Sequence, residues 1–261
     1  MRIYDQNVWN ANPSAFRNTL VAEMAVEFDA DICMFQEFGP ETIRVGEAPL
    51  QLLLAGTYSE VPTEKADRNF TPVFYKTGAY TLIDSGYLLY DGKNDADSKS
   101  VTWAVLEERA TGKKVAVAST HFWWMYESDA DNQQRLRNAD QLKALCDAIL
   151  NKHGVPVIIG GDFNNGMNSV QGDEPYHYMC GLGFHDVRLL ARASTDSPTC
   201  HDGYPFLEPD GKTFTPGTMP KCTIDYIFIY GEGLTAASFE VLTSPKARTS
   251  SDHCPLLSVI E

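Results

Sequence analysis

Asp162 and Asn164 stand in I-I-G-G-D-F-N-N, where a short apolar run ends in two glycines followed by a carboxylate and, two positions on, an amide. Alternate residues of a strand project to one side, so this spacing lets an acid and a neutral amide share one phosphate or one water. An isolated G-D-x-N is more often an Asx turn closing a strand, so the remaining polar residues must decide. Asn7 lies in Q-N-V-W, Glu37 in F-Q-E-F just before Gly39-Pro40, and His121 at the end of the alternating run A-S-T-H. Each alone reads as a solvated or hydrogen-bonding residue. Asp225 is harder to dismiss, since I-D-Y-I-F-I-Y surrounds it with apolar strand neighbours and a buried carboxylate needs a partner. S-S-D-H-C-P places Asp252 and His253 just ahead of the last apolar run. Held by Asp225, His253 would have its tautomer fixed and could serve as acid or base.

Strand ends are where loops bring such groups together. Residues 1–9 read as a strand, and Asn12-Pro13 predicts a helix start. Phe16, Leu20, Met24 and Phe28 recur every fourth residue and predict one apolar helix face up to about Asp29. D-I-C-M-F-Q-E-F suits a buried strand, residues 49–54 a helix, and the segments around 73–75, 80–90 and 101–109 strands, the last turned by T-G-K into K-V-A-V-A-S-T. A long helix is expected over about 130–151, carrying Leu136, Leu142, Leu145 and Ile149 and stopped by Gly154. V-P-V-I-I-G-G reads as a buried strand. A loop-rich stretch with a short helix near 176–180 then leads to two closing strands, I-D-Y-I-F-I-Y and C-P-L-L-S-V-I. No linker or repeat interrupts this order, so residues 1–261 are expected to form one domain. Hairpin-like neighbours mixed with strand-helix-strand crossovers point to mixed sheets covered by helices.

The 261 residues are 43% hydrophobic and 11% aromatic, enough for a sizeable core without staples. A formal net charge of −14 opposes the approach of long nucleic acid, whose affinity comes largely from Lys and Arg. It weighs little against a small phosphate ester, because a divalent cation can reverse the field inside one pocket. Six scattered cysteines without a C-x-x-C pair argue against a zinc ribbon. Cys33, Cys146 and Cys254 are expected as buried thiols, while bridging among Cys180, Cys200 and Cys222 is left open by spacing. The start M-R-I-Y-D-Q-N-V-W-N lacks a basic region followed by an apolar run, and no stretch approaches a membrane span. A cytoplasmic location is the default expectation, a secreted or periplasmic one applying if a leader has been trimmed. Oligomeric state is not legible.

Taken in order, Q-N-V-W, Q-E, V-F-Y-K with Tyr75, S-T-H, G-G-D-F-N, I-D-Y-I-F and S-D-H-C-P resemble the ordered motifs of the endonuclease/exonuclease/phosphatase superfamily, across nearly the whole chain. The resemblance implies a four-layered α/β sandwich, two mixed sheets packed face to face with helices on both outer faces. It implies that Glu37, assisted by Asn7 and with Asp252 on the same side, holds Mg²⁺ (Mn²⁺ as a substitute). Asp162 and Asn164 would position the attacking water and a phosphate oxygen, and His253, oriented by Asp225, would act on the phosphate or as general base. His121 and Tyr75 would line the phosphate pocket. Such a set suits phosphate-ester hydrolysis, since hard oxygen ligands and Mg²⁺ neutralise phosphoryl charge, and Mg²⁺ takes only one or two carboxylates.

The S-T-H form and T-F-T-P-G-T look closer to phosphodiesterases and to lipid or sugar phosphatases than to abasic-site nucleases. Trp9 stands where those nucleases tend to have a second carboxylate, a departure that bears on a second metal position. F-W-W-M-Y offers Trp123 and Trp124 as a wall for the substrate's organic group, although packing is the plainer reading for at least two of its rings. A nuclease of short or single-stranded nucleic acid is the alternative. A binding module without turnover is disfavoured by the presence of Glu37, Asp162, Asp225 and His253 together.

Overall fold

The computed structural model describes residues 1–12, 14–165, 173–195 and 197–261. Its elements run β1 (Arg2–Asn7), α1 (Ala15–Glu27), β2 (Ile32–Gln36), α2 (Leu50–Leu54), β3 (Tyr58–Glu60), β4 (Val73–Lys76), β5 (Tyr80–Leu89), β6 (Ser100–Glu108), β7 (Lys114–His121), α3 (Asp129–His153), β8 (Val157–Asp162), α4 (Asp173–Gly181), β9 (Phe184–Asp186), α5 (Val187–Leu190), β10 (Ala193–Ser194), β11 (Phe206–Leu207), β12 (Phe214–Thr215), β13 (Asp225–Tyr230), β14 (Ala236–Val241), α6 (Pro245–Ser250) and β15 (Leu256–Ile260).

Two large mixed sheets result. One is ordered β10-β14-β15-β1-β2-β4-β3 and the other β5-β6-β7-β8-β13-β9, with β11 and β12 forming a separate hairpin. The period of two in each strand sorts side chains between layers. Ile3, Ile32, Met34 and Val73 of the first sheet meet Leu106, Val117, Ile158 and Ile227 of the second in a core between the sheets. The intervening residues face outward: Tyr4, Cys33 and Phe35 pack with Val21, Met24 and Ala25 of α1, and Ala116, Ile159 and Phe228 with Leu142 and Ile149 of α3. This is the helix-sheet-sheet-helix layering expected from the motifs.

The long helix ends as predicted, with Gly154 in the left-handed region at φ 66. The first helix differs from expectation. Its N-cap position is Ser14, and Pro13 lies outside the described residues. Its buried face is Val21, Met24 and Ala25 together with Arg17 and Asn18. Phe16 is 45% exposed and stacks on Phe214, 4.5 Å between centroids. Simple periodicity failed because buried Arg17 gives its guanidinium to the carbonyls of Val8, Asn12 and Ser250, so a charged residue occupies an inward position. The alternating strand β14 and the short helix α6 lie between the two expected closing strands. Among the described residues, no helix is long and apolar enough to cross a membrane.

Candidate active site

Five inner-face stripes change character along their length. Ile3-Asp5-Asn7 on β1, Ile32-Met34-Gln36 on β2, Val117-Ser119-His121 on β7, Ile158-Gly160-Asp162 on β8 and Ile229-Ile227-Asp225 on β13 are apolar at one end and polar at the other. β1 and β2 are parallel with Asn7 opposite Gln36. β7 and β8 are parallel with His121 opposite Asp162, and antiparallel β13 brings Asp225 opposite the same Asp162. Every polar end therefore lies at one edge of the sandwich. Gly160 is needed there, because a Cβ would come within 2.6 Å of Asp5 Oδ1 from the facing sheet.

The sheets are joined at that edge by Asn7, which is fully buried and donates through Nδ2 to Glu37 Oε1 (3.1 Å) and to Asp162 Oδ2 (3.0 Å). Its Oδ1 accepts the Trp9 amide at 2.9 Å, and Glu37 Oε2 accepts that of Asn10. Asp162 Oδ1 accepts the Asn164 amide at 2.9 Å. His253 Nδ1 lies 2.9 Å from both Asp225 oxygens, and Thr199 donates to Asp225 Oδ2 at 2.5 Å. His253 Nε2 faces inward, 3.9 Å from Asp162 Oδ2 and from Asp252 Oδ1. His121 Nε2 is 3.5 Å from Asp162 Oδ2. Non-glycine residues in the left-handed region gather here, at Trp9, Glu37 and Asn164 (φ 56, 55 and 50). Such conformations persist only where the surroundings over-determine them.

Burial and charge set the protonation of these groups. Burial, reinforced by the Asp225 charge, raises the Asp162 carboxyl well above the ordinary range. Burial pushes Asp252 up to about 7. Burial opposes a charge on His253, yet Asp225 and neighbouring anions overcome it and hold the imidazole well above its ordinary value. His121 is driven well below by burial and by Lys99. Asp5, buried between the sheets, is raised well above the carboxylate range by burial. Only its Oδ1 is hydrogen-bonded, by Gln36 at 2.9 Å.

The donor set fits a divalent cation. Ligand atoms of Glu37, His121 and Asp162 lie within 4.8 Å of one another, and so do those of Asp162, Asp225 and His253. Acids driven toward their protonated forms by burial are stabilised by a cation in place of protons. Glu37 and Asp162 offer hard oxygens of the kind that suit Mg²⁺, whereas His121 would suit a softer ion.

A cleft of about 780 Å³ opens over this edge, lined by Glu37, His121, Asp162, Asn164, Asp252 and His253 among others. Asn7 and Asp225 are buried beside it. Two sequence expectations need correction. Tyr75 sits opposite Ile32, at the far end of β2 from Glu37, and packs on the inter-sheet core; β4 is antiparallel to β2, so continuing along it leads away from the cleft. Trp123 is buried and donates its indole N–H to Asp131 at 2.8 Å, so it packs beneath α3 instead of walling the cleft. Asn7, expected to assist Glu37, does hydrogen-bond it, and bridges it to Asp162 through its amide nitrogen. Trp124 does line the cleft, tied by its indole N–H to Asp95 (3.0 Å), and Phe122 is core, so two rings of F-W-W-M-Y pack inside. Sequence reasoning missed Asn10, Lys99, Cys200 and Tyr204, which also line the cleft, as does Tyr126 of F-W-W-M-Y. Cys33, Cys146 and Cys254 are buried as expected.

Two stacked mixed sheets thus aim carboxylates and imidazoles into one edge cleft. Residues 6–253 match the Endonuclease/Exonuclease/phosphatase family, and the chain belongs to it. Solved structures with the same fold include a mannosyl-6-phosphatase of Bacteroides thetaiotaomicron (TM-score 0.77, 18% identity, 100% of this chain and 99% of that one). An endonuclease/exonuclease/phosphatase of Bacteroides vulgatus aligns at TM-score 0.74 and 21% identity, covering 100% and 98%. The human Nocturnin catalytic domain with bound sulfate aligns at 0.69 and 18%, covering 100% and 94%. A comparison with curated protein sequences found no match.

Proposed function

We propose that this protein is a Mg²⁺-dependent phosphatase or phosphodiesterase acting on a small or lipid- or sugar-derived phosphate ester. The observation that carries this reading is the convergence of Glu37, Asp162, the Asp225–His253 pair and His121 on one cleft from strands of both sheets. When bound, a divalent cation held by Glu37 and Asp162 would neutralise charge on the phosphoryl oxygens. Asp162, fixed at the cleft by the Asn7 side chain and the Asn164 amide, suits the task of positioning the attacking water. His253, kept protonated by Asp225, suits a phosphoryl oxygen or the departing oxygen better than it suits a base. Asn164, whose amide N–H fixes Asp162 Oδ1, orients that carboxylate.

The scale of the cleft supports a small substrate. Its lining includes the acids Glu37, Asp95, Asp162 and Asp252 against the cations Lys99 and Lys221, the reverse of a groove that tracks a polyanion. The mannosyl-6-phosphatase named above, itself described as acting on a sugar phosphate, shares the fold. The experiment is release of phosphate or alcohol from a panel of phosphomonoesters, nucleotides, inositol phosphates, phospholipid head groups and oligonucleotides, with Mg²⁺, with Mn²⁺ and with chelator. Turnover of small esters that chelator abolishes is the expected result. Preference for oligonucleotides would overturn the substrate class, and undiminished turnover in chelator would overturn the cation.

A further inference from the structure

Lys99, whose charge helps hold His121 neutral, lines the same cleft and is 4% exposed. It stands one residue ahead of β6, whose antiparallel register on β7 pairs Val101 with Thr120, so Ser100 falls opposite His121 and Lys99 one residue beyond. Its ammonium nitrogen lies 3.1 Å from His121 Nε2 and 3.4 Å from Nδ1. The backbone beneath it is fixed by Asn94, whose side chain accepts from the Lys99 amide and donates to the Lys99 carbonyl.

A buried ammonium is costly unless its charge is met. His121 meets it as a neutral hydrogen-bond partner, since an imidazolium at that distance would repel it. Asp95 is 3.8 Å away, beyond hydrogen-bond range, half exposed, and already hydrogen-bonded by Trp124 and Ser98. Among the described residues, no carboxylate hydrogen-bonds Lys99. Its opposite charges, Asp95, Glu37 and Asp162, all line the cleft without hydrogen-bonding it, so a direct anionic partner is to be sought there.

We propose that Lys99 is a phosphate-binding residue that pairs with an unsubstituted oxygen of the scissile phosphoryl group and selects dianionic monoesters over monoanionic diesters. The inference rests on the reading of this cleft as a phosphate-ester hydrolase. A monoester presents three unsubstituted oxygens and close to two charges at neutral pH, a diester two oxygens and one charge. His253 and a bound cation account for two cationic contacts, and Lys99 supplies a third, which only the monoester fully uses.

The test compares para-nitrophenyl phosphate with its methyl diester in the Mg²⁺-loaded enzyme and in Lys99→Met and Lys99→Arg. Wild type should favour the monoester. Lys99→Met should lower kcat/KM for the monoester about ten- to a hundred-fold more than for the diester, as expected for loss of one charge-assisted bond. Calorimetric affinity for inorganic phosphate should fall in parallel, and Lys99→Arg should restore most of both. Equal losses on the two esters, or unchanged phosphate affinity, overturn the proposal while leaving the hydrolase reading intact. No turnover of either ester or of any other phosphate ester by wild type defeats the hydrolase reading itself. Should Lys99→Met fail to fold, a wild type that prefers the diester still refutes the proposal.

Discussion

If the buried acids of the cleft are built to hold a cation, the metal-free protein should lose stability as pH rises and regain it when a divalent cation is added. Asp252 has its carboxyl pushed up to about 7 by burial, against roughly 3.9 in an unfolded chain. An acid whose folded pKa is raised in this way stabilises the fold fully below the unfolded value and loses that contribution as pH climbs through the folded one. Between about pH 6 and pH 8 the loss from Asp252 alone amounts to ~1.4 kcal/mol. Asp162 shifts in the same direction. A cation at ~100 times its Kd would return ~2.7 kcal/mol. With about 2.1 cal/mol/K of unfolding entropy per residue over 261 residues, these figures correspond to a fall in Tm of ~2.5 °C and a rise of ~5 °C. The assay is calorimetric unfolding in chelator and in Mg²⁺ at the two pH values, for wild type, Asp252→Asn and Glu37→Gln. Asp252→Asn should reduce the pH step by ~1.4 kcal/mol and leave the part due to Asp162, and Glu37→Gln should remove most of the cation's effect. A pH step undiminished in Asp252→Asn, or equal stabilisation of Glu37→Gln and wild type by Mg²⁺, would refute the reasoning.

Asp162→Asn and His253→Ala should each lower kcat by roughly a thousand-fold or more without unfolding the protein, measured as phosphate release, since each acts mainly in the transition state. Asp225→Asn removes the charge that holds His253 protonated, so the alkaline limb of the rate profile should move to lower pH. Tyr75→Phe should leave kcat and KM unchanged, because that ring lies at the far end of β2 from Glu37. Trp123→Phe should cost ~1 kcal/mol of stability through the lost bond to Asp131 with little change in kcat, whereas Trp124→Ala, altering the cleft wall, should raise KM.

The readable part of the fold was the part governed by period two. In β7, β8 and β13 an apolar stripe ends in His121, Asp162 or Asp225, and that break in pattern marks both the strand end and the site. Gly154 was legible because few residues other than glycine tolerate the left-handed C-cap. Arg17 hid the face of α1, since an inward guanidinium serving loop carbonyls looks like a solvated charge in a list of residues. Tyr75 was misplaced for want of strand direction: V-F-Y-K reads the same whether β4 runs toward Glu37 or away from it. Lys99 was passed over because it closes D-G-K-N-D-A-D-S-K, which looks like a solvated loop. The T-G-K hairpin joining β6 to β7 carried part of the signal, as counting back from it sets Ser100 opposite His121 and leaves Lys99 one residue beyond, at the same strand end. Asp5 left its trace in the same alternation, two residues before Asn7 and facing Gly160.

The most direct measurement is a crystal structure with Mn²⁺ and a phosphate analogue such as vanadate, locating the ion by its anomalous scattering. The expected result is one cleft in which the ion touches Glu37 and Asp162, and in which the anion lies against His253, His121 and Lys99. An ion bound at exposed acids elsewhere, or an anion seated away from the ends of β7, β8 and β13, would contradict the account.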